Sequence, residues 1–354
     1  MPNVCATVQG CTGGVSGANQ TAPLMEGRLK NKEDPMMKKK IVSLVLAFML
    51  CLSCVSALAA EAWTVTCPWA PSGVAAMVNQ KAASLSTTYS QDYVLVANAE
   101  KGDTATINSW LTKYTEADPQ MCFIGEGMFG ITAILDPERM NFTYDDFEYV
   151  ENLYSSIFVA SARKELGLTS IDALKAYLED GNQIMVGTNG ATGSEAFLAA
   201  ALIGAMGYGD QFYLIPYESA AEAAQAVARG EVDIAVSHQS QILETWQQGG
   251  VDVFAAFDGE PIAQGPFKGV EGVGQYGYPY FRNRCFIFAK AGADEQKIAD
   301  LKALYAQILT DEEMVDWLNN TMLLEADMMT EEEVIAHIDN VKNIVEEYYD
   351  LVAE

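Results

Sequence analysis

Short apolar runs alternate with stretches of helical period along almost all of the chain after residue 60. The runs at 63–67, 93–97, 121–124, 150–153, 157–161, 184–187, 212–215, 232–236, 251–257 and 285–289 read as buried strands. Between them, 75–84, 104–115, 171–179, 194–206 and 220–229 carry apolar residues at the spacing of one helix face. Such alternation predicts α/β domains with largely parallel sheets, whose ligands bind beyond the carboxyl ends of the strands. Residues 294–354 read as three helices and no strand, a tail expected to pack back over an earlier sheet.

Helix ends are marked by short-range chemistry. Thr192 with Glu195, Ser219 with Glu222, Thr310 with Glu313 and Thr330 with Glu333 each fit a capping box. Gly230 is placed to stop the helix that ends at Arg229.

The start of the chain follows a different pattern. Residues 1–35 are polar, rich in Gly and Ser and without periodicity, as in a disordered leader. Met36-Met37-Lys38-Lys39-Lys40 then opens a basic segment before the apolar run 41–60, and Ala57-Leu58-Ala59 is a small-x-small cleavage site. Residues 36–60 are thus expected to be a signal peptide, with translation starting at Met36 or Met37. A retained span of ~20 residues and a lipid anchor at Cys54 are the rival readings. For the anchor, Cys51 stands where a lipid-attachment site normally carries leucine.

Removal of residues 1–60 leaves 15 basic against 45 acidic side chains, a formal charge of −30. Nucleic acid and anionic membrane surfaces are disfavoured as partners of such a chain. Of the seven cysteines only Cys67, Cys122 and Cys285 remain, without metal-ligand spacing and within apolar runs, so buried free thiols are expected. The acids are dispersed along helix faces, no metal constellation is seen, and no cofactor motif stands out.

The most informative stretch is Gly187-Thr188-Asn189-Gly190-Ala191-Thr192-Gly193-Ser194-Glu195, between an apolar strand and an Ala/Leu-rich helix. A helix N-terminus reached through glycines offers unpaired N–H groups to an anion. No lysine completes a phosphate loop and the glycine spacing is not that of a dinucleotide fold, so a small carboxylate is the expected cargo. An ordinary glycine-rich turn is the alternative.

The order of landmarks resembles that of the tripartite tricarboxylate transporter substrate-binding proteins, the Bug family, over nearly all of residues 63–354. Pro68-Trp69-Ala70-Pro71-Ser72-Gly73 resembles the family's first ligand loop, and Asn98 before Gly102 its Asn-x-x-Gly segment. The glycine loop resembles its second ligand loop, and Pro216-Tyr217 and Gly230-Glu231-Val232-Asp233 match later landmarks. The departures are Ala76 and Gln80, where the family has an Asp and an Arg, and Phe197 in place of its His. In members that bind amino acids that Asp can serve the ammonium group, so Ala76 disfavours such ligands here.

The resemblance implies an α/β, two-lobed periplasmic-binding-protein (Venus-flytrap, type II-like) fold with a helical C-terminal segment packing on the first lobe. Lobe 1 would comprise 61–158 and 285–354, and lobe 2 would comprise 159–284, hinged near 157–161 and 284–288. It also implies a monomer without catalytic residues or cofactor that hands a small organic acid to membrane permease subunits. Carried over by position, Ser72, Gly73 and Val74 would hold the ligand from one lobe, and Thr188, Asn189, Thr192, Gly193 and Ser194 from the other. Trp69 and Tyr217 would line the cleft or pack in the core. Ser237 and His238 end a strand where a cleft loop would lie, whereas His337 reads as structural.

Glu126, between Gly125 and Gly127, could border the cleft. There it would repel an anion unless paired, and would favour a ligand bearing an amine or hydroxyl. Arg139, Arg163, Arg229, Arg282 and Arg284 all lie outside the nominated loops, so a mono- or dicarboxylate is expected rather than a tricarboxylate. The competing class is a secreted α/β hydrolase or transferase using Ser194 beside Gly193. It lacks a Gly-x-Ser-x-Gly elbow, and the chain has only two histidines.

Overall fold

The computed structural model describes residues 60–352, within the compact unit Leu58–Glu354. The expected leader, signal peptide, cleavage site and Cys54 lie outside the described residues. Among those described, no helix is long and apolar enough to cross a membrane.

The first part of the chain runs β1 (Glu61–Cys67), α1 (Val74–Tyr89), β2 (Tyr93–Ala99), α2 (Thr104–Lys113), β3 (Gln120–Gly125), a π-helical turn (Met128–Thr132) and β4 (Phe147–Ser156). It continues with β5 (Phe158–Arg163), α3 (Ile171–Glu179), β6 (Ile184–Asn189), α4 (Ser194–Ala205), β7 (Phe212–Tyr217), α5 (Ala220–Ala228), β8 (Ile234–His238), α6 (Gln239–Gln247) and β9 (Val251–Ala256). A long connection leads to β10 (Asn283–Lys290), and α7 (Glu295–Leu309), α8 (Glu312–Trp317), α9 (Glu331–Glu347) and α10 (Tyr349–Val352) follow.

The strands form two five-stranded sheets, β2-β1-β3-β10-β4 and β7-β6-β8-β5-β9. In each, the βα units pair in parallel, β1 with β2 and β3, β6 with β7 and β8. The other strands pair antiparallel, β10 with β3 and β4, β5 with β8 and β9. Both sheets are therefore mixed, where alternation alone predicted largely parallel ones. In the second sheet this follows from the crossing: Ile157 alone separates β4 from β5, so the chain enters without a helix to reverse it, and in the first the antiparallel strand is β10, which returns from the second.

The helical tail does more than cover the first sheet. Ile298, Leu301, Leu304 and Tyr305 of α7 join Val65, Val78 and Leu153 in one apolar cluster. Along α9 the buried residues Val334, Ile338, Val341 and Val345 make a single stripe of helical period. Its first half packs with Phe129 and Phe288 of the first lobe. Its second half joins Phe197 and Leu198 of α4 in the second.

Local chemistry sets the helix ends. Thr330 and Glu333 form the expected box, Ser219 accepts from the Glu222 amide, and Gly230 takes the left-handed turn after α5. The cap of α8 is instead Asp311, which accepts from the Met314 amide, while Thr310 still closes α7 through the Ala306 carbonyl. A carboxylate one residue later outcompetes the hydroxyl.

Candidate ligand cleft

The carboxyl ends of β1 and β3 from one sheet, and of β6, β7 and β8 from the other, face a cavity of about 600 Å³. Two long helices begin at its walls. Gly73 precedes α1 and Gly193 precedes α4, and neither helix has a side-chain hydrogen bond at its cap. The first-turn N–H groups of both are thus left for a ligand or solvent. Gly190 has φ +74°, which lets the loop turn into α4. Gly187 makes a close approach, but to Val232 and Ala223 of its own lobe rather than to the cavity.

Three polar contacts cross the cavity between the lobes. Ser194 Oγ donates to Glu126 Oε1 at 2.9 Å. Arg139 Nη1 donates to Thr192 Oγ1 at 2.9 Å, while its Nη2 pairs with Asp103 at 3.2 Å. Lys101 Nζ lies 2.7 Å from Glu218. These contacts bridge the two sides of the cavity.

The expected box at Thr192 and Glu195 does not form. Thr192 is turned to Arg139, and Gly193 is the cap residue. Glu195 folds into the cavity wall, 5 % exposed, with its carboxylate beside its own amide and the Asn189 side chain. Burial above all, helped by the neighbouring Glu126 and Asp103 charges, pushes it up to about 7.

Glu126 is fully buried at the foot of β3. It accepts from Ser194 Oγ, from Asn283 Nδ2 at 2.9 and 3.2 Å, and from the Arg284 amide at 2.8 Å. Desolvation still holds its carboxyl above the usual range against those four bonds. Desolvation raises Asp103, partly buried, as well, despite the attraction of the neighbouring Arg139 guanidinium. Its backbone sits at φ +51°, one of two non-glycine residues with positive φ among those described, and such strain tends to collect at functional sites.

Of the residues expected to bind, Trp69, Gly73, Val74, Asn189, Thr192, Gly193, Ser194, Tyr217 and His238 line the cavity. Ser72 is exposed and lies off it. Thr188 spends its hydroxyl on the Gly190 carbonyl at 2.7 Å, and so braces the loop from behind. Ser237 is buried beneath the wall. His238 Nδ1 shares a hydrogen with Ser156 Oγ at 2.8 Å, and burial holds its imidazole down at about 3, hence neutral. The other histidine, His337, contacts Arg284. Neither imidazole bonds Ser194, whose hydroxyl donates to Glu126 instead.

Sequence reasoning had no arginine at the cleft, yet Arg139 lines it. It arrives on a short turn after the π-helical segment, where no strand or helix pattern gave it a place. Asp103, Lys101 and Asn283 also line the cavity unforeseen. For Asp103 and Lys101 the adjoining Gly102 landmark was a usable signal. Cys67, Cys122 and Cys285 are free and buried.

No family model and no curated protein matches this sequence. Solved structures do match. Rpa4515 of R. palustris with adipate superposes with a TM-score of 0.72 at 15% identity, over 82% of this chain and 96% of that one. The periplasmic binding protein BugD gives 0.71 at 16%, over 83% and 98%. MatC (Rpa3494) from Rhodopseudomonas palustris with bound malate gives 0.69 at 17%, over 82% and 98%. At these identities the likeness is one of fold, the two-lobed fold of periplasmic binding proteins.

Proposed function

We propose that this chain is an extracytoplasmic solute-binding protein of the tripartite tricarboxylate transporter type. It would capture a small organic acid with one or two carboxylates between lobes 61–158 with 285–354 and 159–284, and hand it to membrane permease subunits. The observation that carries this reading is the pair of uncapped helix N-termini, α1 at Gly73 and α4 at Gly193, opening into one cavity of about 600 Å³. Backbone N–H groups aimed at a carboxylate make charge-assisted bonds, and a closed, dry cleft strengthens them. Arg139 adds the one guanidinium in the lining. The adipate and malate described with two proteins of the same fold are ligands of this size and chemistry. No reacting group is required for such work.

A thermal-shift screen of the protein against mono-, di- and tricarboxylates, amino acids, amines and sugars tests the reading. A ligand at 100 times its Kd adds about 2.7 kcal/mol, an easily read rise in melting temperature. A carboxylate hit that is lost in Gly193→Val supports capture at the α4 N-terminus. A screen in which only sugars or simple amines shift the melting point would refute it.

A further inference from the structure

The floor of the cleft is built from hydrogen-bond acceptors that lack a cation. Arg139 is engaged by Asp103 and Thr192, and Lys101 by Glu218. Arg284 sends its guanidinium to Asp327 and only its amide to Glu126. Among the described residues no lysine or arginine side chain bonds Glu126 or Glu195, although both line the cavity. An independent sign points to a missing donor. Asn283 uses Nδ2 on Glu126, and its Oδ1 is buried with no partner on a residue 7 % exposed in the same lining. An orphaned buried acceptor is costly, and a ligand N–H would satisfy it.

We propose that the cleft takes a zwitterionic acid, an amino acid or other amine-bearing carboxylate, with its ammonium held by Glu195 from one lobe and by Asn283 Oδ1 from the other, beside the charge of Glu126. The idea rests on the reading of the cleft as a carboxylate site and names the class of acid. An ammonium presents three donors; Glu195 and the orphaned Asn283 Oδ1 can accept them, and the Glu126 carboxylate, already holding four bonds, adds its charge behind them. The carboxylate goes to the helix N-termini. A plain dicarboxylate would instead bring a second anion against two buried acids, each bond to it replaced by repulsion.

The test compares matched sets by calorimetry at pH 7.5: aspartate, malate and succinate, and alanine, lactate and propionate. The amino acid of one set is expected to bind at least tenfold tighter than its hydroxy and unsubstituted counterparts. Glu195→Gln should lower amino-acid affinity at least tenfold and leave or improve that of the unsubstituted acid. Wild-type protein supplies a second readout that needs no variant. At pH 7, with Glu126, Asp103 and Asn189 facing Glu195, an ammonium drives proton release on binding, seen by repeating the titration in buffers of different ionisation enthalpy. Proton uptake, or succinate binding as tightly as aspartate with an unchanged ratio in Glu195→Gln, overturns the zwitterion and leaves carboxylate capture standing. Amines that bind with no need of a carboxylate overturn both.

Discussion

Glu195 makes the ligand-free protein less stable at alkaline pH than it need be. Its carboxyl titrates at 4.5 in an ordinary setting and is pushed to about 7 in the folded chain. Folding therefore takes up a proton between those values, and the unfolding free energy falls as pH rises through that window. A raised acid contributes stability in full below pH 4.5, and that contribution is gone above pH 7. The interval corresponds to about 3 kcal/mol at 1.36 kcal/mol per pH unit. Replacement by glutamine keeps the shape and the acceptor for the Asn189 amide, but not the charge. Weakening of those charge-assisted bonds takes back about 1 kcal/mol, so Glu195→Gln should gain about 2 kcal/mol at pH 8.

For a folded unit of this size that gain is a melting temperature higher by about 3 °C at pH 8, and a difference within about 1 °C at pH 5. Urea titrations at both pH values, checked by calorimetry, give the comparison. Glu126 and Asp103 are coupled to the same site, so the midpoint belongs to the cluster, but the sign does not depend on how the protons divide. A variant no more stable than wild type at pH 8, or equally displaced at pH 5, would refute the argument. Saturation with the proposed zwitterionic ligand should remove most of the difference, because the ammonium then stabilises the charge that burial penalises.

Gly127→Ala places a Cβ 2.7 Å from Ser194 Oγ with an ordinary helical φ of −62°; it should hold the lobes apart. Small-angle scattering should record a larger radius of gyration and calorimetry an affinity loss of at least tenfold, with unfolding stability changed by no more than ~1 kcal/mol. Gly130→Ala puts its Cβ 2.5 Å from Val341 Cγ1, where α9 crosses the π-helical turn, and should lower stability by about 1–3 kcal/mol in urea. His238, held at about 3 against an ordinary 6.5, contributes stability that is present above pH 6.5 and lost as pH falls towards 3. His238→Gln should accordingly flatten the acid limb of the stability profile, and an unchanged limb would remove His238 from its cause.

What the chain spells out locally it spells out well. Strands such as β3 and β10 are buried on both faces and read as continuous apolar runs, and α5 carries its start at Ser219 and its stop at Gly230 in plain view. The mixed character of the sheets was hidden because antiparallel entry of β5 depends on a single residue, Ile157, and leaves no trace in periodicity. The glycine loop could be recognised as a helix entry, but Thr192 and Glu195 satisfy a capping box on paper while long-range partners claim both. Arg139 lies 53 residues from Thr192, and Glu126 lies 68 residues from Ser194. No local rule couples such distances.

The same limit bears on the ligand. Ala76 stands where the resemblance places an ammonium-binding Asp, and by sequence that argues against an amino acid. The buried acids in the cleft sit elsewhere, Glu126 after β3 and Glu195 in the first turn of α4. A charge removed from one wall of a closed cavity can be restored from another wall, because the ligand responds to the field inside the cavity and not to the chain position of its source. Two carboxylates kept out of water without a cation raise the energy of the empty protein, and a cost of that kind is offset only when something positive enters. The loss at Ala76 and the gain at Glu195 are thus consistent with one ligand class bound from a different side.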